Sequence, residues 1–138
     1  MSLVQEAVEH ISLSNKLYFV LVEFCKARRL LPSIAYAGLA LAGRMKRMTG
    51  GRLPDPIVTV DADSDPESYC ELKLTWAVDD LLLTAEIREP NSGMECDWHA
   101  QHLRFGPREG VCWKVSRTEL PAFVQRYIHL IAAQYQIK

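Results

Sequence analysis

Between residues 70 and 101 the chain alternates apolar and polar residues with period two in three successive runs, each broken by a short turn. Cys70, Leu72, Leu74 and Trp76 alternate with Glu71, Lys73 and Thr75. After Val78-Asp79-Asp80, Leu81, Leu83, Ala85 and Ile87 alternate with Leu82, Thr84, Glu86 and Arg88. After Pro90-Asn91-Ser92-Gly93, Met94, Cys96, Trp98 and Ala100 alternate with Glu95, Asp97, His99 and Gln101. Successive side chains of a strand point to opposite faces, so each run is a strand with one apolar and one polar side. The connections are too short for a crossover, which leaves an antiparallel meander.

The pattern extends both ways. Residues 57–62 form a further strand candidate ahead of a polar turn at Asp61, Asp63, Ser64, Asp65 and Pro66. Leu103 and Phe105 fall out of phase, which marks a β-bulge or the end of a strand. A turn at 106–110 then leads to a last strand with Val111, Trp113 and Val115 on one side. One face of a sheet of about four to five strands is therefore apolar, carrying Trp76, Trp98 and Trp113. The other is polar, carrying Glu71, Lys73, Glu86, Asp97 and His99.

An antiparallel sheet can leave one face in water, but the apolar face needs a cover. The C-terminal segment, 116–136, supplies one. Ser116 and Glu119 have capping-box spacing, Pro121 is tolerated in a first turn, and Leu120, Phe123, Val124, Tyr127, Ile128, Ile131 and Tyr135 make one helical stripe. Upstream, residues 1–50 read as helices. Leu3, Val4, Ala7, Val8 and Ile11 have helical spacing, and Ser12 or Ser14 offers an N-cap for a segment over about 15–30. Its core, residues 17–22, is apolar all round and is compatible with a helix or a buried strand. Pro32 opens a further helix over 33–48, whose Ala35, Ala37, Gly38, Ala40, Ala42 and Gly43 permit close packing. Gly50-Gly51 ends it.

The expected architecture is one α+β domain over residues 1–138, with helices at 1–50, an antiparallel sheet at 55–115 and an amphipathic C-terminal helix on its apolar face. A length of 138 residues and 49% hydrophobic content suffice for a core without a metal or disulfide, and no cofactor is expected. Cys25, Cys70, Cys96 and Cys112 form no CxxC pair and lie in apolar runs, as core thiols of a reducing compartment do. No basic n-region opens the sequence and no apolar run reaches about 20 residues. These features predict a cytoplasmic protein without a membrane segment.

Four groups of residues carry possible chemistry. Cys96, His99, His102 and Cys112 supply zinc-ligand types, but strand parity sends them to two faces. Pro54-Asp55 followed by Glu71-Leu72-Lys73 resembles the PD-(D/E)xK pattern of metal-dependent nucleases. That resemblance implies a site of Asp55, Glu71 and Lys73, in which the acids hold a metal and the lysine positions or activates water. The sequence departs from the family in following the ExK strand with a hairpin rather than a helix. Arg44, Lys46, Arg47 and Arg52, with Lys26, Arg28 and Arg29, sit at expected helix C-termini, where the helix dipole favours cations without any nucleic acid. Glu86, Glu95, Asp97 and His99 share the polar face, where a carboxylate beside an imidazole can act as a base.

A net charge of −1 gives the whole chain no bias toward nucleic acid or anionic lipid. The surplus of apolar and small residues over 17–43 points instead to a protein partner. The reading at this level is a non-enzymatic interaction or accessory domain. It would be a homodimer, or would dock another protein, through the apolar N-terminal helices. A metal-dependent nuclease or other nucleic-acid-associated protein is the alternative.

Overall fold

The computed structural model describes residues 17, 21–23, 30–61, 71–89 and 93–137. The fold is α+β. A helix, α1 (Pro32–Met48), precedes five strands, β1 (Ile57–Asp61), β2 (Glu71–Val78), β3 (Leu81–Arg88), β4 (Glu95–His102) and β5 (Glu109–Lys114), and a final helix, α2 (Ala122–Ile137), follows them. The strands form one antiparallel sheet in the order β1-β2-β3-β4-β5. The helix expected over 3–11, the polar turn at 63–66, Cys25, Cys70 and the basic residues Lys26, Arg28 and Arg29 lie outside the described residues. Within the segment 15–30, Leu17, Leu21, Val22 and Glu23 are helical.

Parity along the strands holds as the sequence predicts. Leu72, Leu74 and Trp76 on β2, Leu83, Ala85 and Ile87 on β3, and Cys96, Trp98 and Ala100 on β4 are all buried. The register places them on one face, since Leu74 is opposite Ala85 and Ala85 opposite Trp98. Both helices cover that face. A Cβ added to Gly38 would lie 2.6 Å from Leu72 Cδ2, with Leu74 and Ile87 just behind, so α1 rests directly on β2 and β3. Helix α2 spans β2, β3 and β4 through Val124, Tyr127, Ile128, Ile131 and Ala132, all buried. Leu17, Leu21 and Leu30 join the same core.

Local chemistry sets the ends of the helices. Pro32 occupies the start of α1, where its missing N–H costs nothing, and Leu31 O accepts from Ile34 and Ala35. At the other end Gly51 N–H donates to Lys46 O and Gly50 N–H to Arg47 O, a Schellman closure that needs the positive φ of 63° at Gly50. Thr49, buried beside it, donates from Oγ1 to Lys46 O and accepts from Leu53 N.

The C-terminal helix departs from the sequence expectation at its start. It begins at Ala122, not at 116. Glu119 O is taken by Trp113 Nε1 at 3.0 Å, which anchors the approach segment to β5 instead of letting it wind. Leu120, preceding Pro121, is also steered away from helical geometry. Tyr135, expected on the buried stripe, is 48% exposed near the end of the helix. The phase change after Gln101 is a strand end and not a bulge. β4 stops at His102, and Leu103 and Phe105 lie in the following turn.

Candidate functional site

The polar face of the sheet is open on the described residues, and its rows can be read across the strands. One row runs Thr59, Lys73, Glu86, Asp97, Cys112, and the next Thr75, Thr84, His99, Gly110. Neighbouring strands are about 4.8 Å apart, so each charge lies beside the next. Asp97 is bound by Arg88, whose guanidinium also reaches Glu95 Oε2 at 3.1 Å. Lys114 Nζ holds Glu95 Oε1 at 2.8 Å. The Arg88 hydrogen bond holds the Asp97 carboxyl below its ordinary value, and Lys114 does the same for Glu95. Both carboxylates are committed to cations, and a lowered pKa makes each a weak proton acceptor, so neither is poised as a general base.

Cys112 is exposed, contrary to the expectation of a core thiol. Its Sγ lies 3.5 Å from Glu95 Oε2 and 3.8 Å from Arg88 Nη2. Desolvation first, then hydrogen bonding to Asp97 and Glu95, raises its pKa, so the thiol stays protonated and is a poor nucleophile. Cys96 is buried, and burial raises it strongly. His99 is exposed and lies over β5, where a Cβ on Gly110 would approach its Nδ1 to 3.0 Å. A shallow hollow of about 280 Å³ beside it is lined by Lys73, Thr84, Glu86, Gln101 and Arg108.

The zinc-type residues divide as parity predicts. Cys96 and His102 have the parity of the helix-covered face, while His99 and Cys112 lie on the open face. His102 is also engaged locally, with Nδ1 accepting from Arg104 and Phe105 N–H and its ring 4.9 Å from Phe105. Among the described residues no three His, Cys, Asp or Glu side chains are placed to hold a metal.

Glu71 and Lys73 project from the open face, as the nuclease resemblance requires, but the structure does not bring Asp55 to them. Asp55 Oδ1 receives Lys46 Nζ of α1 at 3.4 Å, which ties it to the helix layer on the opposite side of the sheet. It also enters the far end of the pairing. Ile57 faces Thr75 and Asp61 faces Glu71, so Asp55 is six residues along the ladder from Glu71, about 20 Å. Of the basic cluster, Lys46 is thus paired and Arg52 Nε donates to Thr49 O at 2.9 Å.

The apolar side chains described between 17 and 43 are buried or packed against the core, so this stretch presents no exposed large apolar residue among those described. The exposed ones lie elsewhere and are spread over the molecule, with Met48 at the end of α1, Ile57 on β1 and Tyr135 near the end of α2 among them. Val111 of β5 is 42% exposed, Leu103 and Phe105 lie in the turn leading into β5, and Leu130 is exposed on α2. Arg126, one turn before Leu130, reaches Glu109 Oε2 of β5 at 2.6 Å, which puts this side of α2 next to β5.

β5 is also a sheet edge, and its main chain can be read. Val115 N–H donates to Met94 O at 3.2 Å, making 94/115 a hydrogen-bonded pair of the β4–β5 ladder. Such pairs alternate. Trp113, Val111 and Glu109 therefore direct their backbone groups to β4, while Gly110, Cys112 and Lys114 direct theirs outward. Within β5 the residues 110–113 are Gly-Val-Cys-Trp, flanked at the strand ends by the charges of Glu109 and Lys114. The other edge, β1, is five residues long and is entered through Pro54 and Pro56. The meander expected from the short turns already puts the first and last strands at the edges, and the structure agrees.

Comparison with protein-family models, curated proteins and solved structures finds no match to this chain. No described helix is long and apolar enough to cross a membrane.

Proposed function

We propose that this chain is a non-enzymatic protein-interaction domain that works as a homodimer, with the β5 edge as its contact surface. The observation that carries the reading is the exposed run Gly110-Val111-Cys112 on the edge strand, with main-chain groups of Gly110 and Cys112 directed outward and the side chain of Val111 exposed. An open edge strand is a template for pairing with another strand, and a paired edge removes that liability. The free thiols of Cys96 and Cys112 fit a reducing, cytoplasmic setting.

The apolar residues described over 17–43 pack into the monomer core, which favours the β5 edge over these helices as the contact surface.

Sedimentation velocity over a range of concentrations tests the reading. The wild-type chain is expected to sediment as a dimer. Cys112→Pro removes an outward N–H without breaking the ladder to β4, so it leaves the fold intact and shifts the chain toward monomer. Each copy loses one or more intermolecular hydrogen bonds, at about 0.5–1.5 kcal/mol apiece. Val111→Lys, at an exposed position, is expected to do the same by charge. A wild-type monomer at every concentration, or a dimer unaffected by both substitutions, sinks the reading.

A further inference from the structure

Helix α1 rests on β2 and β3, and a groove of about 600 Å³ opens between it and the segments 93–94 and 113–116, where β4 begins and β5 ends. That volume is in the range of small-molecule sites, about 300–1,000 Å³. We infer that this groove binds a small amphipathic carboxylate, with its apolar body along α1 and its head on Arg44. The inference stands apart from the dimer reading, since both walls of the groove belong to one chain.

Helical spacing supplies the near wall. Tyr36, Ala37, Ala40, Leu41 and Arg44 recur at intervals of three and four, so they share one face of α1, and all of them line the groove. Ala37 and Ala40 end at Cβ, which keeps the groove open where a longer side chain would fill it. Met94, Trp113 and Val115 make an apolar wall opposite. The Trp113 indole N–H is already given to Glu119 O, which leaves its carbon surface for a ligand.

Charge selects the head group and its direction. At one end Ser33 Oγ donates to Glu89 Oε2 at 2.8 Å, and this carboxylate repels an anion. The ammonium of Lys114 is bound to Glu95. Arg44 is half-buried, and among the described residues no carboxylate pairs with it. Ser33 and Arg44 are eleven residues apart on α1, about 16 Å along its axis, so the acid and the available guanidinium mark opposite ends. A guanidinium takes a carboxylate through two parallel N–H···O bonds, and the one cation balances one negative charge.

Isothermal titration of the purified full chain with octanoate tests the inference, with 1-octanol and inorganic phosphate as separate probes. Octanoate should bind saturably at one per chain, and octanol at least about tenfold more weakly, the worth of hydrogen bonds to a charged group. Phosphate, which lacks the apolar body, should not compete. Arg44→Gln should weaken octanoate about tenfold and leave octanol unchanged, whereas Ala40→Phe should weaken both by filling the groove. NMR of the wild-type chain locates the site without any variant, since octanoate should move the Ala40 amide and Trp113 indole signals. No saturable binding of octanoate, equal affinity for octanol, displacement by phosphate, or signal changes only in other parts of the chain overturns the inference. An octanoate affinity unchanged by Arg44→Gln also overturns it, by removing the head-group contact. An octanoate affinity that falls as the chain associates gives the groove to a second copy instead.

Discussion

Replacing Gly38 with alanine tests how tightly α1 lies on the sheet. In an isolated helix interior the change would stabilise by about 1 kcal/mol. Here the new Cβ meets Leu72 Cδ2 at 2.6 Å, whereas carbon atoms rest at roughly 3.5–4.0 Å. Leu72 cannot swing clear, because it is fully buried and Leu74 and Ile87 stand 3.7 and 3.9 Å from the same point. Overpacking of this kind costs about 1–3 kcal/mol. The expected balance is a net loss of about 1 kcal/mol, or about 3 °C in Tm for a chain of this size. Urea denaturation at fixed protein concentration measures it, since association would otherwise shift the midpoint. In a Leu72→Val background, which withdraws the Cδ2 atom, the same Gly38→Ala change should stabilise by about the helix-propensity term. A stabilising Gly38→Ala in the wild-type chain would refute the close approach of α1 to β2.

The ion pairs at the β3–β4–β5 end predict acid sensitivity. Asp97 and Glu95 have lowered pKa values in the fold, so their contribution is complete above the ordinary carboxylate range and is lost as pH falls through the lower folded values. Asp97→Asn should cost about 1 kcal/mol at pH 7 and flatten the decline of stability below about pH 4, read by thermal melts across pH. A pH profile unchanged by Asp97→Asn would show that the Arg88 pair contributes nothing. Thr49→Val keeps the side-chain shape but leaves the Leu53 N–H without its acceptor, and should cost about 1–3 kcal/mol in the same denaturation assay. A change within 0.5 kcal/mol would contradict the capping role.

Much of the sheet was legible in the sequence because period-two alternation sets faces directly. The parity of Leu72, Trp76, Ile87 and Trp98 gave the covered face, and that of Cys96 and His99 already split the apparent zinc cluster. Contacts between distant segments were not legible. Nothing local in Pro54-Asp55 shows that its carboxylate meets Lys46 across the α1–β1 connection, away from Glu71. The capping-box spacing of Ser116 and Glu119 was overridden by one long-range bond, from the Trp113 indole to Glu119 O. The apolar surplus over 17–43 was visible as composition, but composition does not say whether a core or a partner covers it. The short turns implied a meander with the last strand at an edge, but which main-chain groups of β5 point outward depends on the pairing with β4, which alternation leaves open.

The central claim is that the outward main chain of β5 is paired in solution. Residue-resolved amide hydrogen exchange, followed at high and low protein concentration, tests it most directly. Val111 and Trp113 amides point to β4 and should be protected at both concentrations. Cys112 and Gly110 amides should be protected at high concentration and lose that protection on dilution. If those two amides exchange at the solvent-exposed rate at every concentration while Val111 and Trp113 remain protected, β5 is a bare edge and the dimer proposed on it does not form.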